Sequence, residues 1–195
     1  MFDNGAMRVL FNAAFLSIVA AWIVMAVATV FRPRPPQARE VRRGGGGWVW
    51  GFVLQVLSIA MVWTWRRPEP PSPLVSVVAV LLAAASVAVI LAAQRALGRQ
   101  FAYQARLVEG HRLITAGPYH YVRNPIYTAL FGLALATGLV LSRWLVIPIF
   151  AVFYVAGTLM RIRIEERLLR AGFGPEFEDY ARRVPALIPL PWVKL

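Results

Sequence analysis

The chain has 195 residues, 59% hydrophobic and 15% charged, with a formal net charge of +12 and no cysteine. A mean hydropathy of +0.60 excludes an ordinary soluble domain of this length. The lack of cysteine excludes a disulfide framework and a cysteine metal site.

Five stretches without a charged side chain are long enough, or nearly so, to cross about 30 Å of hydrocarbon at about 1.5 Å per helical residue. The first is Val9–Phe31. Ala26-Val27-Ala28 imitates a signal cleavage site, but Met1–Met7 carries Asp3 and no basic residue. That flank is wrong for a signal peptide, so an uncleaved first span is expected. Arg32–Gly47, rich in Pro, Arg and Gly, reads as a flexible basic linker. Trp48–Trp65 is the second span, Arg66–Pro73 with its four prolines a short turn, and Leu74–Gln94 the third span. Trp48, Trp50, Trp63, Trp65 and Trp144 fall at span ends, where indoles anchor at the headgroup level.

The next loop, Arg95–Asn124, is long, basic and aromatic, and is interrupted by Gly98, Gly110, Gly117 and Pro118. A water-soluble cofactor could dock on such a segment. Pro125–Leu141 and Trp144–Met160 follow, separated only by Ser142 and Arg143. A backbone inside lipid must satisfy its own hydrogen bonds, so these two should form a tight helical hairpin. Beyond Met160, apolar Ile162, Ile164, Leu168 and Leu169 are interleaved with Arg163, Arg167 and Arg170. The last span should therefore continue as an amphipathic helix to near Gly172, with a short final helix over Pro175–Arg183.

The expected fold class is an all-α integral membrane protein with five transmembrane helices, the last two forming the hairpin, and a cytoplasmic C-terminal amphipathic helix. Two regions are expected: 1–97, three membrane helices with the basic linker at 32–47, and 98–195, a catalytic half. Of the 21 basic residues, 17 fall in the first and third loops and after the last span, against Arg8, Arg66, Arg67 and Arg143 on the other side. The positive-inside rule then puts the N-terminus outside and the C-terminus in the cytoplasm. Anionic lipid headgroups are a sufficient partner for this charge, and no nucleic acid is needed. No P-loop, Gly-x-Gly-x-x-Gly or His-Glu-x-x-His occurs, and no metal is expected.

Arg161 and Glu165 lie at i, i+4 at the end of the last span, with Glu166 adjacent. Ionisable groups at that depth are functional candidates; an ion pair that simply ends the hydrophobic run is the plain alternative. Upstream, Gly-Pro-Tyr-His-Tyr-Val-Arg-Asn-Pro-Ile-Tyr begins at Gly117, and Phe-Gly-Pro-Glu-Phe-Glu-Asp-Tyr begins at Phe173. From about Gln104 to Pro191, this order of parts resembles the isoprenylcysteine carboxyl methyltransferase and phospholipid methyltransferase family of integral membrane enzymes.

The resemblance implies S-adenosylmethionine as methyl donor and a lipid or isoprenoid-like acceptor. Matching through Phe173-Gly174 places a cofactor-contacting glutamate at Glu165 and an acceptor-side arginine at Arg161. The other implied cofactor contacts are His111, Arg112, Leu113, Ile114, Tyr119, Asn124, Pro125, Ile126 and Tyr127. An upstream glutamine falls on Gln104, or on Arg106 if the loop is shorter. Where the family usually reads Arg-His-Pro, this chain has Asn124, which cannot become an imidazolium. A positioning role survives that change; a titrating one does not. His120, between two tyrosines, reads as interfacial, and plain interfacial placement is also open to Tyr119, Tyr127 and Tyr180. A carboxylate acceptor is already ionised at neutral pH and needs no base. An amine or thiol acceptor needs one, for which Glu165 or Glu166 is the nearest candidate. The rival readings are a nicotinamide-dependent membrane reductase of the sterol reductase type and a non-catalytic membrane subunit.

Overall fold

A computed structural model describes residues 4–31, 40–43, 46–98, 106–108 and 112–187. Among the described residues six α-helices carry the fold: α1 Asn4–Val30, α2 Gly47–Thr64, α3 Pro73–Leu97, α4 Pro125–Leu141, α5 Val146–Phe173 and α6 Pro175–Arg183. Two short strands, β1 Glu40–Arg43 and β2 Arg106–Val108, pair antiparallel. A 3₁₀ turn over Gly117–His120 precedes α4. Helices α1, α2, α3 and α5 are long and apolar enough to cross a membrane, and α4 is a shorter apolar helix of 17 residues. The chain is an integral, multi-pass membrane protein.

Proline and glycine set the boundaries. Pro73, Pro125 and Pro175 each occupy the first turn of a helix, where no backbone donor is lost. Gly98 ends α3 at φ 53° and Gly174 ends α5 at φ 50°, conformations that disfavour a Cβ. At 28 residues, α5 runs past Met160 without a break. Its length of about 42 Å exceeds the hydrocarbon thickness, so its charged last turns stand clear of the apolar slab.

Helix pairing follows chain order only in part: α3 packs on its chain neighbour α4, whereas α2 packs chiefly on α5, and α1 on α3 and α4. Lipid tails are as apolar as leucine, so close backbone approach decides which helices pair. A Cβ built on Gly51 of α2 would lie 2.7 Å from the Gly157 carbonyl oxygen of α5, and one on Gly157 would lie 2.6 Å from that of Gly51. On α4, a Cβ at Gly132 would meet Ser86 Oγ of α3 at 2.5 Å. Ala79, Ala83, Leu133 and Ala136 fill the same seam, with Ala14 and Ile18 of α1 behind them. Cross-helix hydrogen bonds add to this: Trp22 Nε1 donates to Thr137 Oγ1 at 3.0 Å, and Gln94 Nε2 to Thr29 Oγ1 at 2.9 Å.

The α4–α5 hairpin has a short turn, but bulky rings hold its arms apart. Phe131 stacks on Phe150 at 5.3 Å and tilts against Tyr154 at 5.4 Å. Each arm therefore makes its closest backbone contacts with another helix. At the turn, Arg67 N donates to Leu141 O at 2.8 Å and Arg143 N to Trp65 O at 3.1 Å, joining the α2–α3 and α4–α5 connections. The Arg67 guanidinium lies 4.6 Å over the Trp144 ring. Residues 40–43 differ from the expected linker: part of it is a strand, paired with the loop before α4, because Glu40-Val41-Arg42-Arg43 has no glycine or proline.

Candidate functional site

The end of the bundle opposite that turn is assembled around Arg123. This residue precedes α4 and is 7% exposed. Its Nε donates to Glu166 Oε1 of α5 at 2.9 Å, and its Nη1 to the carbonyls of Ala181 at 2.8 Å and of Val184. The Arg123 and Asn124 amides donate to Pro185 O and Ala186 O at 2.9 and 3.1 Å. Arg170 closes the other side, with Nη2 3.4 Å from Glu166 Oε2 and Nε donating to Glu178 Oε1 at 2.8 Å. A buried carboxylate needs such partners, and both Glu166 oxygens have one. Burial lifts the Tyr180 hydroxyl to about 12, against the pull of Arg123. At neutral pH it is a donor, and it holds the Tyr119 carbonyl at 2.6 Å. These contacts fasten α6 and the 3₁₀ turn to α5.

Glu165, the next residue on α5, faces a different set of groups. Its side chain is 26% exposed, and its Oε1 accepts from Tyr127 Oη at 2.5 Å and lies 3.7 Å from Arg161 Nη2. Arg161 is buried. Its Nη1 donates to Gln55 Oε1 at 3.0 Å, and its guanidinium lies over the rings of Tyr127 at 5.0 Å and Phe52 at 5.6 Å. Tyr154 Oη donates to the Tyr127 carbonyl at 2.9 Å. The floor of the cluster is thus tied to the aromatic filling of the hairpin.

A cleft lies between these two assemblies. Leu97, Leu113, Ile114 and Leu169 make its apolar walls, and Glu165, Glu166, Arg112, Arg123 and Asn124 its polar ones. Of the residues singled out in the sequence, Arg112, Leu113, Ile114, Tyr119, Asn124 and Glu165 line it. Pro125 and Ile126 do not; Pro125 is buried as the first residue of α4 and Ile126 is half-buried beside it. Tyr127 and Arg161 reach the cleft through Glu165. Gln104 and His111 lie outside the described residues. Asn124 Nδ2 donates to Ala186 O at 3.0 Å, a structural tie an amide can make in any protonation environment. His120 is exposed and meets Tyr121 edge-on.

Two participants, Arg123 and Gln55, went unnoticed in the sequence. Arg123 stands beside the conspicuous Asn124 and looked like one more loop cation. Glu166, a candidate base beside Glu165 in the sequence, is turned by the helix to different neighbours, Arg123 and Arg170. Gln55 had a usable signal, an amide inside a charge-free span. Chemically, the cleft sets one partly exposed carboxylate, Glu165, and the Arg112 cation against apolar walls. No cluster of three or more His, Asp or Glu side chains that could hold a metal occurs among the described residues.

The phospholipid methyltransferase family matches residues 74–176, just over half of the chain. Among curated proteins, the protein-S-isoprenylcysteine O-methyltransferase of Schizosaccharomyces pombe is 38% identical over 80 residues, which is 41% of this chain and 34% of that protein. The nickel-cobalt-cadmium resistance protein NccN of Alcaligenes xylosoxydans xylosoxydans is 41% identical over 81 residues, 40% of this chain and 36% of that protein. The matches thus span about a third of these relatives' length. Among solved structures, the eukaryotic intramembrane Ras methyltransferase, an isoprenylcysteine carboxyl methyltransferase, aligns with a TM-score of 0.49 at 20% identity, covering 79% of this chain and 55% of that one.

Proposed function

Because the chain belongs to the phospholipid methyltransferase family, we propose that it transfers a methyl group from S-adenosylmethionine to an amphiphilic acceptor at the cytoplasmic face of a membrane. The observation that carries this reading is the position of Glu165, a carboxylate that borders the cleft while bonded to Tyr127 and facing Arg161. The cofactor, when bound, supplies an already activated methyl group on a sulfonium centre, so the protein's task is alignment and exclusion of water.

Each residue then has a definite task. Glu165 and Asn124 offer polar contacts from the cleft wall, Arg112 offers a cation at its rim, and Leu113, Ile114 and Leu169 offer an apolar surface. Tyr127 fixes the Glu165 carboxylate. Arg161 presents a charge on the membrane side of Glu165, where the headgroup of an acceptor arriving from the bilayer would meet it. Glu166 is committed to Arg123 and Arg170, so a base for an amine or thiol acceptor would be Glu165. The acceptor is of the isoprenoid carboxylate, prenylcysteine or phospholipid amine class.

In this reading the catalytic half is residues 98–195, resting on the membrane scaffold of residues 1–97 and borrowing Gln55 from it. The N-terminus is outside and the C-terminus in the cytoplasm, as the arginine distribution favours, with anionic headgroups against the basic face. Calorimetric titration of S-adenosylmethionine into detergent-solubilised protein tests the site. Binding weakened at least about tenfold by Glu165→Gln, the loss of one charge-assisted contact, is expected. Affinity unchanged by the substitution would remove Glu165 from the cofactor site.

A further inference from the structure

Gln55 is 2% exposed in the middle of α2, outside the family-matched segment 74–176. A primary amide buried in a span is costly unless both its ends are satisfied. Arginine carries donors only, so the amide oxygen must face Arg161, which it does at 3.0 Å. The amide nitrogen is thereby turned to Thr158 Oγ1, to which it donates at 2.7 Å. Thr158 is 1% exposed and sits three residues before Arg161 on the same helix. One side chain of α2 thus grips α5 at two points within a turn.

The seam around this grip is closely packed. A Cβ at Gly51 would lie 2.7 Å from both Gly157 O and Arg161 Cγ, so the stem of Arg161 runs against the bare backbone of α2. The Phe52 and Tyr127 rings flank the guanidinium. An amide at position 55 fixes the guanidinium without cancelling its charge; a carboxylate there would fix it and neutralise it.

We infer that Gln55 is the positioning residue for Arg161: its amide, oriented by Thr158, sets the direction in which the guanidinium presents its charge to the methyl acceptor. The acceptor's part in this rests on the methyltransferase reading above; the coupling of Gln55 to Arg161 does not.

Two measurements separate those parts. Thermal unfolding in detergent of Gln55→Leu, Arg161→Met and the double variant reads the coupling without any reaction. The destabilisation caused by Gln55→Leu should fall to less than about half once Arg161 is gone, since no buried guanidinium is then left unsatisfied. Equal shifts in both backgrounds would overturn the coupling. In turnover assays, Gln55→Leu and Thr158→Val should each lower kcat about tenfold or more and raise the acceptor KM, with S-adenosylmethionine affinity within about twofold of the parent. Thr158→Ser, which keeps the hydroxyl, should restore kcat. Parental kcat and KM in Gln55→Leu would overturn the positioning role. A parent chain that transfers no methyl group overturns the methyltransferase reading, and the acceptor role with it, whatever the unfolding cycle shows.

Discussion

Adjacent residues on α5 do unlike work. Glu166 is locked between Arg123 and Arg170, whereas Glu165 opens onto the cleft. Removing one partner of a buried ion pair leaves the other charge uncompensated, at about 3–5 kcal/mol. Arg123→Met leaves Glu166 only the half-exposed Arg170, so it should lower stability by up to that amount and loosen α6, measured as lost hydrogen-exchange protection over 175–183. Arg161→Ala should spare S-adenosylmethionine binding while removing turnover. Tyr180 adds a pH dependence. Its folded value of about 12 stands above the ordinary 10.0, so its contribution is fully present below pH 10 and fades as pH rises through about 12. Chemical unfolding of the parent and of Tyr180→Phe between about pH 8 and 12 should show an alkaline loss that is larger in the parent than in the variant. Much of this scale was legible in the residues themselves, since Glu165, Arg161 and the motif around Asn124 stand out as polar groups next to apolar runs. The Arg123–Glu166 pair was not, because 43 residues separate its members and nothing local to either points to the other.

Helices were legible where their boundaries are chemical. Pro125 and Pro175 open α4 and α6, Gly174 closes α5, and the amphipathic run after Met160 continues α5 as its residue pattern requires. Partner choice was not legible, because it rests on which small residues face each other, and alanine alone is scattered through every span. The seams themselves make a sharp prediction. Gly157→Ala would place a methyl group 2.6 Å from a backbone oxygen, which cannot move aside, whereas the nearest atom to a Cβ at Gly138 is a Val62 methyl at 3.4 Å. Thermal unfolding should show Gly157→Ala destabilised by about 1–3 kcal/mol, as overpacked sites are, with Gly138→Ala close to the parent. Equal effects would mean that the α2–α5 seam is looser than the distances imply. The short ribbon of β1 and β2 was missed for a related reason: four residues of strand inside a glycine-rich stretch leave almost no periodicity to read.

At the scale of the whole molecule, α5 connects the two halves of the account. Its apolar turns pack against α2 through glycine, and its charged turns carry both the ion pair that secures α6 and the carboxylate that borders the cleft. The chain has no cysteine, so single introduced thiols report topology cleanly. Glu69→Cys, in the α2–α3 turn, should react with a membrane-impermeant maleimide on intact cells, and Glu176→Cys, on α6, only after permeabilisation; the reverse would invert the orientation and detach the arginine distribution from its explanation. The central claim is methyl transfer, and the most direct measurement of it uses methyl-labelled S-adenosylmethionine, detergent-solubilised protein and an extracted lipid pool, with label counted in the organic phase. Label entering an organic-soluble product with the parent chain, and lost with Arg161→Ala although the cofactor still binds, is the predicted result. No label above background from a parent chain that binds the cofactor would contradict the account.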